Sequence, residues 1–113
     1  MNDEDRIRQR FQELSDAYKA RLPALLAQLK VKLITWFESG APPEALEEIH
    51  FQIHKLSGTG ASFGLNSVSV YSKKIENILL LIMQGQQQPD QPGLEQILEW
   101  LEAMIAASRP GQE

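Results

Sequence analysis

The stretch "IHFQIHKLSGTGASFGL", residues 49–65, decides how this chain is organised. It carries three glycines and a run of small side chains just after a histidine, between segments that read as helix. If the helix stops near Gly58, residues 57–64 are a loop. If it continues, the weak helix formers need another explanation. Apolar residues settle the matter: Leu46, Ile49, Ile53, Leu56, Gly60 and Phe63 follow one another at spacings of three and four, the signature of one helix face. The pattern runs through the glycines, so the helix is expected to run through them too.

Outward from this segment, nothing reads as a strand. On the N-terminal side, "SGAPP" (39–43) is a clear break, with Glu44, Glu47 and Glu48 suited to the positive end of the helix that follows. Before it, Leu22, Leu25, Leu26, Leu29, Leu33, Ile34 and Phe37 mark a helix ending near Glu38. Ile7, Phe11 and Leu14 mark another apolar face over about 3–18, and Pro23 is expected to separate the two or kink the chain. On the C-terminal side, Leu65, Val68, Ser72, Ile75, Leu79, Ile82 and Met83 line a helix over 65–83. "GQQQPDQPG" is a polar connection, and Leu94, Ile97, Leu98, Leu101, Met104 and Ile105 line a last helix to about Ala107. Short connections between amphipathic helices predict antiparallel neighbours. The expected fold is all-α: an up-and-down four-helix bundle with an additional N-terminal helix. It forms a single domain over 1–113, with 1–3 and 108–113 frayed.

Composition narrows function. A chain of 113 residues favours one domain with one modest core. The net charge of −4 argues against a nucleic-acid binder. The absence of cysteine removes thiolate metal sites and cysteine nucleophiles. No apolar run is long enough to span a membrane, and the charged start is not a secretory signal, so a cytoplasmic location is expected.

A helical wheel at about 100° per residue divides the central helix. With Ile53 at 0°, the core stripe lies between about +20° and −80°. His54 falls near 100°, largely toward solvent, among His50, Ala61, Glu47, Gly58, Phe51 and Ser62. Solvent faces usually carry long charged chains. This one carries an outward phenylalanine, two histidines and very small residues. Gly58, one turn after His54, leaves the imidazole uncovered and lets another backbone approach. Gly60, on the core stripe, suits close packing of a neighbouring helix.

Several chemistries use an exposed histidine. A hydrolytic triad needs a base and an orienting acid around a nucleophile, and no nucleophile-elbow motif is present. His50 and His54, four apart, could chelate an ion with Glu47, but further ligands would have to come from distant helices. Phosphoryl transfer through histidine fits better. A neutral imidazole is a competent nucleophile, and the reaction is mostly positioning and charge stabilisation. Lys55, Lys73 and Lys74 are cations available to assist.

The run "HKLSGTGASFGL" resembles the signature of histidine-containing phosphotransfer (HPt) domains: histidine, leucine two later, glycine four later, small residues, then glycine ten later with an apolar residue after it. Here these are His54, Leu56, Gly58, Thr59 to Ser62, Gly64 and Leu65. The resemblance implies that His54 is the phosphoacceptor of a phosphorelay intermediate in two-component signalling, exposed midway along one helix of a four-helix bundle. It implies receiver domains of response regulators or hybrid histidine kinases as partners. It implies no kinase activity and no cofactor or metal of its own, the Mg²⁺ belonging to the receiver. Many members have lysine three after the histidine. Ser57 stands there, so Lys55 and Ser57 are the candidates to assist the phosphoryl group. His50, Phe51, Gly58, Ala61 and Ser62 are candidates for access and docking. A helical-bundle adaptor that binds signalling partners without being phosphorylated would use the same surface.

Overall fold

A computed structural model describes residues 2–108. Four α-helices account for almost all of it: α1 (Asp3–Glu38), α2 (Leu46–Ser62), α3 (Asn66–Met83) and α4 (Gln91–Ala107), with a single 3-10 turn at Pro43–Ala45 before α2. Among the described residues there is no strand. The all-α bundle is as expected. Of the ends expected to fray, Met1 and 109–113 lie outside the described residues, and the Ser108 amide donates to the Met104 carbonyl at 2.9 Å. Asn2 and Asp3 are ordered as a helix start, the Asn2 side chain accepting from the Asp5 amide at 2.8 Å.

The main departure is in α1. Pro23 does not separate two helices; it sits inside one helix of 36 residues. Proline removes the bond to the Lys19 carbonyl and clashes with it, at a cost of about 3 kcal/mol in a helix interior. What offsets this is the stripe Leu22, Leu26, Leu29 and Leu33, each no more than 1% exposed. These side chains share one face only if the helix stays in register through position 23. The expected additional N-terminal helix is therefore the first half of α1. At about 1.5 Å per residue, α1 is about 54 Å long against about 26 Å for α2, and the molecule extends 56 × 25 × 19 Å.

The core runs through the remaining length of α1 and the other three helices. Leu26, Leu33, Leu46, Ile53, Val68, Ile75, Leu79, Leu101 and Met104 are fully buried. Trp36 Nε1 donates to the Pro42 carbonyl at 2.8 Å, closing the α1–α2 connection. Lys30 of α1 pairs with Glu102 of α4. The last helix starts at Gln91, earlier than expected, because the Asp90 side chain caps it by accepting from the Gly93 amide at 2.8 Å.

Three helices end in the same way. At the end of α2, the Leu65 amide donates to the Gly60 carbonyl at 2.7 Å and the Gly64 amide to the Ala61 carbonyl at 3.2 Å. This is a Schellman cap, which puts Gly64 at φ +72. Leu65 then turns into the core at 4% exposure. The cap reverses the chain at once, so α3 returns along α2 and brings its side chains to the level of His54.

Candidate functional site

α2 continues to Ser62, through Gly58 and Gly60. Leu46, Ile49, Ile53, Leu56 and Gly60 are buried, while Phe63 is half-buried, its ring 5.3 Å from Phe11 and 5.4 Å from Tyr18. The two internal glycines have different surroundings. A Cβ on Gly60 would lie 3.0 Å from Val68 Cγ1 and 3.1 Å from the Ser69 amide nitrogen, whereas a Cβ on Gly58 would meet nothing within 4 Å. Gly60 thus permits the close approach of α3. Packing within the chain gives no reason for Gly58 to lack a side chain.

His54 stands on the outer face with 62% of its side chain exposed. Its Nδ1 lies 2.8 Å from Oε1 of Glu76 on α3. A carboxylate accepts, so the ring nitrogen facing it carries the proton, and in the neutral ring the lone pair is on Nε2. The Glu76 side chain is only 12% exposed. A hydrogen bond to so sheltered a carboxylate is stronger than it would be in bulk water. Glu76 is the site residue that sequence reasoning missed. The available signal was that it is the only acidic residue in α3, one turn after Lys73. What the sequence of a single helix lacks is the face it turns toward its neighbour.

Two shallow grooves flank the imidazole. One is lined by Glu44, Glu47, His50, Phe51 and Met83 along with His54 and Glu76. The other is lined by Ser57, Gly58, Ala61, Lys73, Lys74 and Asn77 along with His54. His54 therefore lies between an acidic, partly apolar side and a cationic side. Of the expected site residues, Ser57, Gly58 and Ala61 lie beside His54 on the cationic side. His50 is not simply flanking surface: it is half-buried, with Nε2 shielded from solvent. Phe51 is 56% exposed. Ser62 is exposed at the end of α2 and lines neither groove.

Lys55, expected to assist the phosphoryl group, has its ammonium 4.9 Å from the Phe51 ring centroid, in a cation–π contact. Successive residues of a helix point about 100° apart, and Lys55 lines neither groove beside His54. The cations that share the groove are Lys73 and Lys74. Lys74 also lies 5.8 Å from the ring centroids of Tyr71 and Trp100. Among the described residues, no group of three or more His, Asp or Glu side chains converges as a metal site. No helix there is long and apolar enough to cross a membrane.

The Hpt domain family model matches residues 9–108. The chain belongs to the Hpt domain family. Hpt domains are phosphocarrier modules of two-component signalling rather than kinases, and they work with receiver domains. No curated protein and no solved structure matches the chain. The match begins within α1, so the first turns of that helix lie outside the Hpt region.

Proposed function

We propose that this Hpt domain relays a phosphoryl group through His54 Nε2, accepting it from the aspartyl phosphate of one receiver domain and passing it to an aspartate on another. The observation that carries this reading is the contact between His54 Nδ1 and Glu76. It orients the ring, selects the tautomer with the proton on Nδ1, and leaves Nε2 as an exposed nucleophile. In the forward step the Nε2 lone pair forms the N–P bond as the bond between phosphorus and the aspartyl oxygen breaks. The aspartate leaves with the bonding electrons. The ring then carries a positive charge that the Glu76 carboxylate balances. Return to a second receiver is the same displacement in reverse, which suits a carrier that must give up what it accepts.

The other groups position the partner. Gly58 and Ala61 leave clearance for an in-line approach. Lys73, with Lys74 beside it, supplies positive charge toward the phosphoryl oxygens, the role for which Lys55 was the first candidate. Ser57 lines the same groove and is a hydrogen-bond donor within reach of a docked phosphoryl group. Phe51 and half-buried His50 offer apolar contact on the opposite side. The Mg²⁺ of the reaction would be held by the receiver.

The test uses receiver domains charged with phosphoramidate and Mg²⁺, mixed with this protein. Label that is acid-labile and base-stable is expected on the wild type and absent on His54→Gln. Undiminished label on that variant would remove His54 from the reaction. If the variant binds receivers as well as the wild type and no label is found on either protein, the adaptor reading replaces this one.

A further inference from the structure

The first turns of α1 extend past the other helices, and the first half of the helix carries an apolar stripe that the bundle leaves largely open, with Phe11 meeting the Phe63 ring at 5.3 Å. Ile7 is 71% exposed, Phe11 49% and Leu14 46%. Their spacing of four and three places them within about 60° of one another on the helix. The stripe continues into an open groove beside Tyr18, Arg21, Leu22 and Leu25. Isolated exposed apolar residues are ordinary. A continuous stripe on a projecting helix instead calls for a partner.

The charges along this segment identify the partner. They run in alternating blocks: acidic at Asp3, Glu4 and Asp5, basic at Arg6, Arg8 and Arg10, acidic at Glu13 and Asp16, basic at Lys19 and Arg21. Laid against a second copy in parallel, every block meets its own sign. Laid antiparallel and centred near Phe11, every block meets the opposite sign. Asp3 then faces Arg21 of the second copy along one edge of the stripe, and Glu4 faces Lys19 along the other. Arg10 falls near Glu13 of the second copy, on the same edge as Asp3. Ile7 falls beside its Tyr18, at the open groove. Within one chain the same groups make only exposed pairs, such as Arg8 with Glu4 at 3.6 Å and Arg6 with Asp3 at 4.0 Å. Pairs of that kind contribute little and can readily exchange partners.

From the stripe and this mirrored charge order we infer that the protein self-associates as an antiparallel pair of α1 N-terminal halves. The interface is isologous, as a two-fold dimer requires. It uses a part of the molecule that lies largely outside the phosphotransfer site, so the inference does not depend on the role of His54. With about fifteen residues a side it is smaller than a standard interface, and association is expected only toward the upper end of a concentration series.

The experiment is sedimentation equilibrium on the full chain over such a series. The wild type is expected to pass from monomer to dimer with increasing concentration. Ile7→Asp should weaken association roughly ten- to hundredfold, as expected for removing one aliphatic side chain from a buried position. Helix content should be unchanged, because Ile7 touches no part of the core. Asp3→Arg with Glu4→Lys should also abolish the dimer, and adding Lys19→Glu and Arg21→Glu should restore it. Rescue by the fourfold variant is the result that a merely structural role for these charges would not give. A wild type that stays monomeric throughout overturns the inference. If Ile7→Asp then weakens binding to a receiver domain, the stripe belongs to that partner instead. Dimerisation that survives Ile7→Asp, or no rescue by the charge exchange, overturns the proposed pairing.

Discussion

The two faces of α2 use the same residue type for opposite ends. On the inner face, Gly60 lets Val68 and the Ser69 backbone come so close that a methyl group would have to push them aside. On the outer face, Gly58 borders open space. The inner glycine serves the packing of this chain with itself. The outer one has no such duty, and a glycine in an exposed helix interior costs about 1 kcal/mol relative to alanine. Together the two show that a glycine in a helix should be judged by what its missing side chain would have met.

That contrast can be broken in graded ways. The largest effect is expected from Gly58→Arg. A long side chain one turn from His54 should slow transfer from a phosphorylated receiver by about a hundredfold or more, the scale on which misplaced reactants lose rate. Far-UV circular dichroism should stay as in the wild type. Undiminished transfer would mean that Gly58 does not provide access. Next comes Glu76→Gln, which keeps the size of the side chain but removes the charge facing Nδ1. Loss of a charge-assisted hydrogen bond should slow phosphoryl uptake by roughly ten- to hundredfold, measured as single-turnover rates. A rate equal to the wild type's would show that the contact does not orient the nucleophile.

Stability should separate the two glycines in opposite directions. Gly60→Leu overpacks the α2–α3 contact and should cost about 1–3 kcal/mol or more, lowering Tm by about 4 °C at the least. Gly58→Ala should instead raise Tm by a few degrees, for a gain of about 1 kcal/mol. A shift of the same sign in both would erase the distinction between the faces.

The smallest effect lies beside the inner face. Burial raises the ionisation of the Tyr18 phenol above its ordinary value of 10.0, with the Arg21 guanidinium and the Thr59 hydroxyl opposing. The folded state therefore holds this proton more tightly than the unfolded chain. The stability linked to it is complete below about pH 10 and is lost as pH rises beyond that. Titration followed by phenolate absorbance should show a late component that Tyr18→Phe removes, and the variant should lose less stability above pH 10.

Periodicity was enough to read the central helix. Leu46 through Phe63 kept their spacing across the glycines, and the wheel put His54 outside and Gly60 inside, where the structure places them. The bundle was legible for the same reason. Pro23 was not. A local rule predicts a break there, but the leucine stripe on both sides favours one register, and the burial it achieves is a property of the whole bundle. Glu76 was hidden for a related reason. A carboxylate on α3 becomes a partner of His54 only through the packing of α2 on α3, which Gly60 permits and the Gly64 cap sets up. Lys55 illustrates the limit of closeness in sequence: it neighbours His54 in the chain yet leans on Phe51, while Lys73 and Lys74 reach the groove from another helix.

The central claim is that His54 is the phosphoacceptor and that Nε2 is the reacting nitrogen. The most direct measurement is nuclear magnetic resonance of the imidazole nitrogens after phosphorylation by a charged receiver domain, correlating phosphorus with the ring nitrogen it joins. A single phosphohistidine at position 54, bonded through Nε2 with the proton still on Nδ1, is the predicted result. Phosphorus on Nδ1 of His54, or on His50, would contradict the account.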